Sequence, residues 1–119
     1  MWPFSRRATA ASFTDIEPQE AYRRVKTGAL LVDVRQRAEL SAGRFPKAVN
    51  VPLAELETYA ATLDPAAPVM LVCRSGSRSR KGAKRLTALG FSDVSNVRGG
   101  VNAWGRAGLP LKGTKAPKR

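Results

Sequence analysis

Short β-branched apolar runs alternate along the chain with stretches whose apolar residues recur at helical spacing. LLVDV at 30–34, AVNVP at 48–52 and VMLVC at 69–73 read as strands, and DVSNV at 93–97 as a weaker one. Residues 12–16 supply a fifth candidate. VMLVC is the strongest, an unbroken apolar run behind Pro68.

The helical stretches fall between these runs. Residues 18–26 open with a proline in the first turn and end before Gly28. A short one covers 36–42. Leu53, Leu56, Ala60 and Leu63 share a helical face until Pro65 stops the run. Residues 79–89 put Ala83, Leu86 and Leu89 on one face, with Gly90 as a C-terminal cap. Residues 101–106 make a last turn or two. Strands alternating with helices predict an α/β, three-layer fold, a central parallel sheet of about five strands with helices on both faces. The polar residues 1–11 and the basic KGTKAPKR at 112–119 read as tails around one domain over 12–111.

Composition removes much chemistry. The 119 residues include one cysteine and no histidine. No internal disulfide, no structural zinc site and no histidine-based triad can be built from that set. No cofactor or metal is expected. No apolar run approaches the roughly 20 residues needed to span a bilayer. MWPFSRRATAAS at the start lacks the apolar stretch of a secretory signal, which predicts a cytoplasmic protein.

Charge is uneven. Residues 1–64 hold nine basic and eight acidic side chains, a net of +1; residues 65–119 hold twelve and one, a net of +11. Six of those twelve lie between Arg74 and Arg85, directly after the cysteine. Such a field attracts anions, whether a small substrate, an acidic protein partner or nucleic acid.

The chemistry concentrates in CRSGSRS at 73–79. Cys73 ends the strongest strand, where open α/β sheets place their sites. Ser75, Gly76 and Ser77 let the backbone curl, and a helix is expected near Ser79. Such a turn aims N–H groups inward as an anion nest, and the helix adds its positive end. Arg74 and Arg78 add full charges. Together they favour a thiolate with no histidine needed. A structural cysteine acting as a small hydrophobe is the plain alternative, but a basic Gly/Ser loop is a poor apolar socket.

Strand, Cys-Arg-x-Gly-x-Arg-Ser loop and helix resemble the active-site pattern of rhodanese domains. LVDVRQRAELSAGRFPKAVNVPL at 31–53 resembles that family's first signature, through Gly43, Pro46, Ala48, Asn50 and Pro52. VRGGVNAW at 97–104 resembles its closing Gly-Gly-x-x-x-Trp. Arg44 stands where the family usually has His, Phe45 where it has Ile and Lys47 where it has Gly.

The resemblance implies double displacement. Cys73 would take sulfane sulfur from a donor such as thiosulfate, hold it as a persulfide and pass it to a thiol or cyanide. The loop N–H groups would stabilise the persulfide, and Arg74 and Arg78 would bind the donor's oxygens. By the same resemblance Asp33 and Arg35 help to hold the loop. Their position beside it also allows Arg35 to line the pocket mouth. Phosphatases of this fold use C-x5-R; here Arg78 makes C-x4-R and Ser79 follows, a smaller ring suited to one sulfur.

Trp104 reads as core, and Gly99 and Gly100 as a tight turn near the loop. Arg80, Lys81, Lys84 and Arg85 read first as a solvated face, and second as a surface for anionic donors or an acidic partner. Trp2 and Phe4 suggest either packing or partner contact. Two other classes remain: a non-catalytic or relay module of the same fold, and a nucleic-acid binder. The latter lacks any recognised motif or interleaved aromatics.

Overall fold

A computed structural model describes residues 12–113. Trp2, Phe4, the tail over 1–11 and the residues beyond 113 lie outside the described residues. Five strands, β1 (Thr14–Ile16), β2 (Leu30–Asp33), β3 (Val49–Asn50), β4 (Val69–Val72) and β5 (Val94–Val97), form one sheet in the order β1-β5-β4-β2-β3. Every pairing is parallel. β4 is central and buried along its whole length, as an all-apolar strand between two helical layers must be.

Alternation along the strands divides the core. Leu31, Met70, Val72 and Val97 face the layer of α1 (Pro18–Lys26) and α4 (Gly100–Arg106), where Trp104 is fully buried. Val32, Leu71 and Val94 face α2 (Leu56–Ala60) and α3 (Ser77–Ala88). Cys73 follows Leu71 at strand spacing and lies in this second cluster.

Three expected elements differ. Residues 36–42 form a 3-10 segment, Arg37–Ala42, not an α-helix. Its first turn is closed by Gln36 and Glu39, each side chain meeting the other's backbone N–H. The pattern over 53–63 divides into a 3-10 turn, Leu53–Glu55, and the short α2. There the Thr62 hydroxyl donates to the Tyr59 carbonyl at 2.7 Å and competes with helix continuation. α3 begins at Ser77, two residues before the expected start, because Gly76 turns the chain at φ +105°.

The first-signature loop is anchored from beneath. Arg35 is 1 % exposed and donates to both Asp33 carboxylate oxygens, at 2.8 Å from Nη2 to Oδ2 and 3.0 Å from Nε to Oδ1. Its Nη2 also donates to the Gly43 carbonyl at 2.7 Å. Asn50 Nδ2 donates to the Asp33 and Arg35 carbonyls, at 2.9 Å each. The departures from the family pattern find separate places. Phe45 packs edge-on against Trp104 and under the Arg35 guanidinium. The Arg44 backbone exchanges two hydrogen bonds with Lys112. Lys47 takes the left-handed backbone, φ +58°, that a glycine would adopt freely.

Candidate active site

The sulfur is placed by strand, turn and helix in succession. β4 carries the chain to Cys73, and Gly76 reverses it into α3. The first-turn N–H groups of a helix have no partner within the helix. A serine, asparagine or aspartate at the N-cap would normally accept from one of them. Gly76 holds the N-cap here and has no side chain, so Cys73 Sγ fills that role. It accepts from the Ser79 N–H at 3.4 Å and from the Gly76 N–H at 3.1 Å. The Ser79 hydroxyl lies 3.4 Å away.

α4 sets the direction of these peptides. Its Val101 N–H donates to the Cys73 carbonyl at 2.9 Å, and its Asn102 N–H to the Arg74 carbonyl at 3.2 Å. In a trans peptide the carbonyl and the next N–H point opposite ways. Tying the Arg74 carbonyl to α4 therefore turns the Ser75 N–H away from α4, and that N–H adds to the stabilisation of the sulfur anion. Gly100 makes the close approach possible: a Cβ there would sit 2.5 Å from the Arg74 carbonyl carbon and oxygen, and nearer still to the Cys73 oxygen.

Cys73 is 1 % exposed, and burial pushes its thiol pKa up. The Ser79 hydroxyl and the Ser79, Gly76 and Ser75 N–H groups outweigh that and leave it below the ordinary value. Apolar burial alone would have raised it.

The charged residues separate into two groups. Arg74 is exposed on the loop. Arg78 is not free for an incoming anion, as its Nη1 and Nη2 grip Glu39 at 2.6 and 2.8 Å. Arg78 still lies within electrostatic reach of Cys73, and Glu39 is pulled from 4.5 to about 2, chiefly by that bidentate contact. Asp33 is next to the loop, since it pairs with Val72 in the sheet. Arg35 does not line a pocket mouth: its donors are directed to Asp33 and to the Glu39 and Gly43 carbonyls, which fits it to hold the signature loop. Ser77 is exposed in the first turn of α3.

Sequence reasoning missed Glu39, Asn96 and Asp15. Asn96 accepts from the Ser79 hydroxyl at 2.5 Å and donates to Asp15 at 2.9 Å. The available signal was the polar pair Ser95 and Asn96 between Val94 and Val97 in a stretch read as a strand. In the basic cluster, Arg80 pairs with Asp15 at 2.7 Å and Arg85 with Glu57 at 3.8 Å, while Lys81 and Lys84 are exposed.

A sulfurtransferase of Allochromatium vinosum is 38 % identical over 82 residues, 69 % of this chain and 77 % of the relative. Thiosulfate sulfurtransferase GlpE of Pseudomonas savastanoi pv. phaseolicola is 35 % identical over 98 residues, 82 % of this chain and 92 % of the relative. The crystal structure of a rhodanese-like domain protein from Staphylococcus aureus superposes with a TM-score of 0.72 at 30 % identity, over 84 % of this chain and 99 % of that one. Sulfur transfer is the general activity these relatives share. Residues 17–107 match the rhodanese-like domain, so with the five-stranded parallel sheet and the Cys73 loop in place the chain belongs to the rhodanese-like family.

Proposed function

We propose that this protein moves sulfane sulfur from a donor such as thiosulfate to a thiol or cyanide acceptor through a persulfide on Cys73. One observation carries the reading: peptide N–H groups of the loop and of the first turn of α3 converge on a single sulfur. They stabilise negative charge there both before and after sulfur is loaded.

In the first half-reaction the Cys73 thiolate attacks the outer sulfur of thiosulfate. A new S–S bond forms, the donor's S–S bond breaks, and sulfite leaves with the electron pair. In the second, a thiolate or cyanide attacks the terminal sulfur and Cys73 returns as thiolate. The two steps make the kinetics ping-pong. Arg74, exposed on the loop, offers a cation to the donor's sulfonate. Arg78 contributes field from its pair with Glu39. A reducing cytoplasm suits a lone free thiol.

Intact mass after incubation with thiosulfate tests the reading. A gain of one sulfur atom is expected, removed by cyanide and absent in Cys73→Ala. The second reading is a non-catalytic or relay module that docks an acidic partner, and the near-complete burial of Cys73 favours it. Unchanged mass, with no thiosulfate-to-cyanide turnover, would leave that one standing.

A further inference from the structure

A hydroxyl has one proton to donate, and the Ser79 hydroxyl is surrounded by acceptors. Cys73 Sγ lies 3.4 Å from Ser79 Oγ, Asn96 Oδ1 2.5 Å and the Gly76 carbonyl 3.3 Å. Ser79 is fully buried and Asn96 is 2 % exposed, so bulk water does not compete for the hydroxyl.

What lies behind Asn96 decides which acceptor is served. Asp15 and Asn96 are register partners on β1 and β5. Asp15 is held below the ordinary carboxylate range, chiefly by the Asn96 amide and, against some burial, by Arg80. An ionised carboxylate only accepts, so the NH2 of Asn96 must face Asp15. The Asn96 oxygen is thereby turned toward Ser79, where it draws the hydroxyl proton. Ser79 Oγ then offers the sulfur only a divided share of that proton, and stabilises a thiolate less than an undivided hydrogen bond would.

We propose that Asp15 and Asn96 are positioning residues that draw the Ser79 hydroxyl proton away from Cys73 and weaken its hold on the sulfur. This deepens the sulfur-transfer reading and rests on Cys73 being the nucleophile. Without the pair, the hydroxyl would turn to the sulfur and stabilise the thiolate further. An over-stabilised thiolate is a weaker nucleophile, and attack is fastest when the thiol pKa is near ambient pH. The pair keeps the sulfur reactive rather than merely charged.

Other charges around Cys73 are accounted for. Arg78 of α3 is bound to Glu39 of the 3-10 segment, and Asp33 of β2 to Arg35. Arg80 of α3 is bound to Asp15, Arg98 after β5 is bound to Glu17, and Arg74 of the loop is exposed.

The test is the pH–rate profile of alkylation by iodoacetamide in the full chain, where Cys73 is the only cysteine. Asp15→Asn presents both a donor and an acceptor, so the Asn96 amide can turn over and offer its NH2 to Ser79. The expected midpoint falls by about half to one pH unit, the size of a typical net hydrogen bond. The plateau rate falls about two- to threefold, because nucleophilicity declines with pKa. Removing the Asp15 charge could by itself lower the midpoint, so the decisive arm is the Ser79→Ala background. There the Asp15→Asn shift should vanish. A shift that persists without the hydroxyl, no shift, or an upward shift from a loosened loop overturns the proposal. If Asp15→Asn does not fold, Asn96→Leu carries the same expectation. Alkylation needs no sulfur donor, so this test can fail while the thiosulfate mass gain stands, and the reverse.

Discussion

Substituting Gly100 by alanine tests whether α4 shapes the sulfur site. Gly100 has φ +55°, where an alanine costs about 1 kcal/mol relative to glycine. The added Cβ would meet the Cys73 and Arg74 carbonyls, which are backbone and cannot swing aside. Relief requires α4 and the loop to part. That strains the Val101 and Asn102 hydrogen bonds to those carbonyls, each worth about 1 kcal/mol net. The expected loss is about 3 kcal/mol, a large share of the roughly 5–15 kcal/mol that holds a small domain folded. Gly108→Ala is the control. It also has positive φ, +75°, but no atom lies within 4 Å of its added Cβ, so only the backbone term of about 1 kcal/mol applies. Urea unfolding of both variants, read at unchanged m, gives the comparison. In addition, the Cys73 alkylation midpoint should rise in Gly100→Ala, because released carbonyls no longer hold the opposing N–H groups toward the sulfur. Equal losses in the two variants, with an unmoved midpoint, would refute the role given to α4.

Lys47→Gly should stabilise by about 0.5–1 kcal/mol, since the left-handed strain at φ +58° exceeds the entropy that glycine adds to the unfolded chain; a thermal melt reads it. Arg35→Ala leaves Asp33 buried without its cation and should cost about 3–5 kcal/mol, with partial recovery in Arg35→Met/Asp33→Asn. Glu39 titrates at about 2 in the folded chain against an ordinary 4.5, so its pair with Arg78 is fully stabilising above pH 4.5 and is lost as pH falls toward 2. Discounted for solvent screening, that is about 1–2 kcal/mol, and Glu39→Gln should flatten the stability curve over that window.

The sheet was legible because each strand carries at least one β-branched residue between helical patterns, and β4 is apolar throughout. The sulfur site was legible because its N–H donors, Ser75, Gly76 and Ser79, come from one five-residue stretch, so spacing along the chain was also arrangement in space. What crosses the chain was hidden. Glu39 meets Arg78 across 39 residues, and Asp15 meets Asn96 across 81. Neither contact follows without the parallel register of β1 on β5 or the position of the 36–43 segment. The 3-10 segment and the short α2 escaped for another reason: apolar spacing cannot distinguish a long helix from two brief turns. The closing Gly-Gly-x-x-x-Trp combines both cases. Trp104 as core was readable, whereas the approach of Gly100 to the two loop carbonyls depends on where the fold sets α4 against the loop.

The hidden pairs change the electrostatics of the loop. Basic residues crowd the sequence after Cys73, and a site built on free guanidinium charge would be strongly screened by salt. Yet Arg78 is matched by Glu39, and Arg80 by Asp15. The stabilisation left at the sulfur comes from the Ser79 hydroxyl and from N–H dipoles within 3.1–3.4 Å, in a site 1 % exposed. Mobile ions do not enter that space. The Cys73 alkylation midpoint should therefore move by less than about 0.3 pH unit between 20 mM and roughly 1 M salt, far less than exposed charges would allow. The rate with an anionic alkylating agent should still fall with salt, since Arg74 and the exposed lysines of α3 steer anions from outside. A midpoint that climbs by a full unit in high salt would mean that surface cations, not the peptide ring, hold the charge on the sulfur.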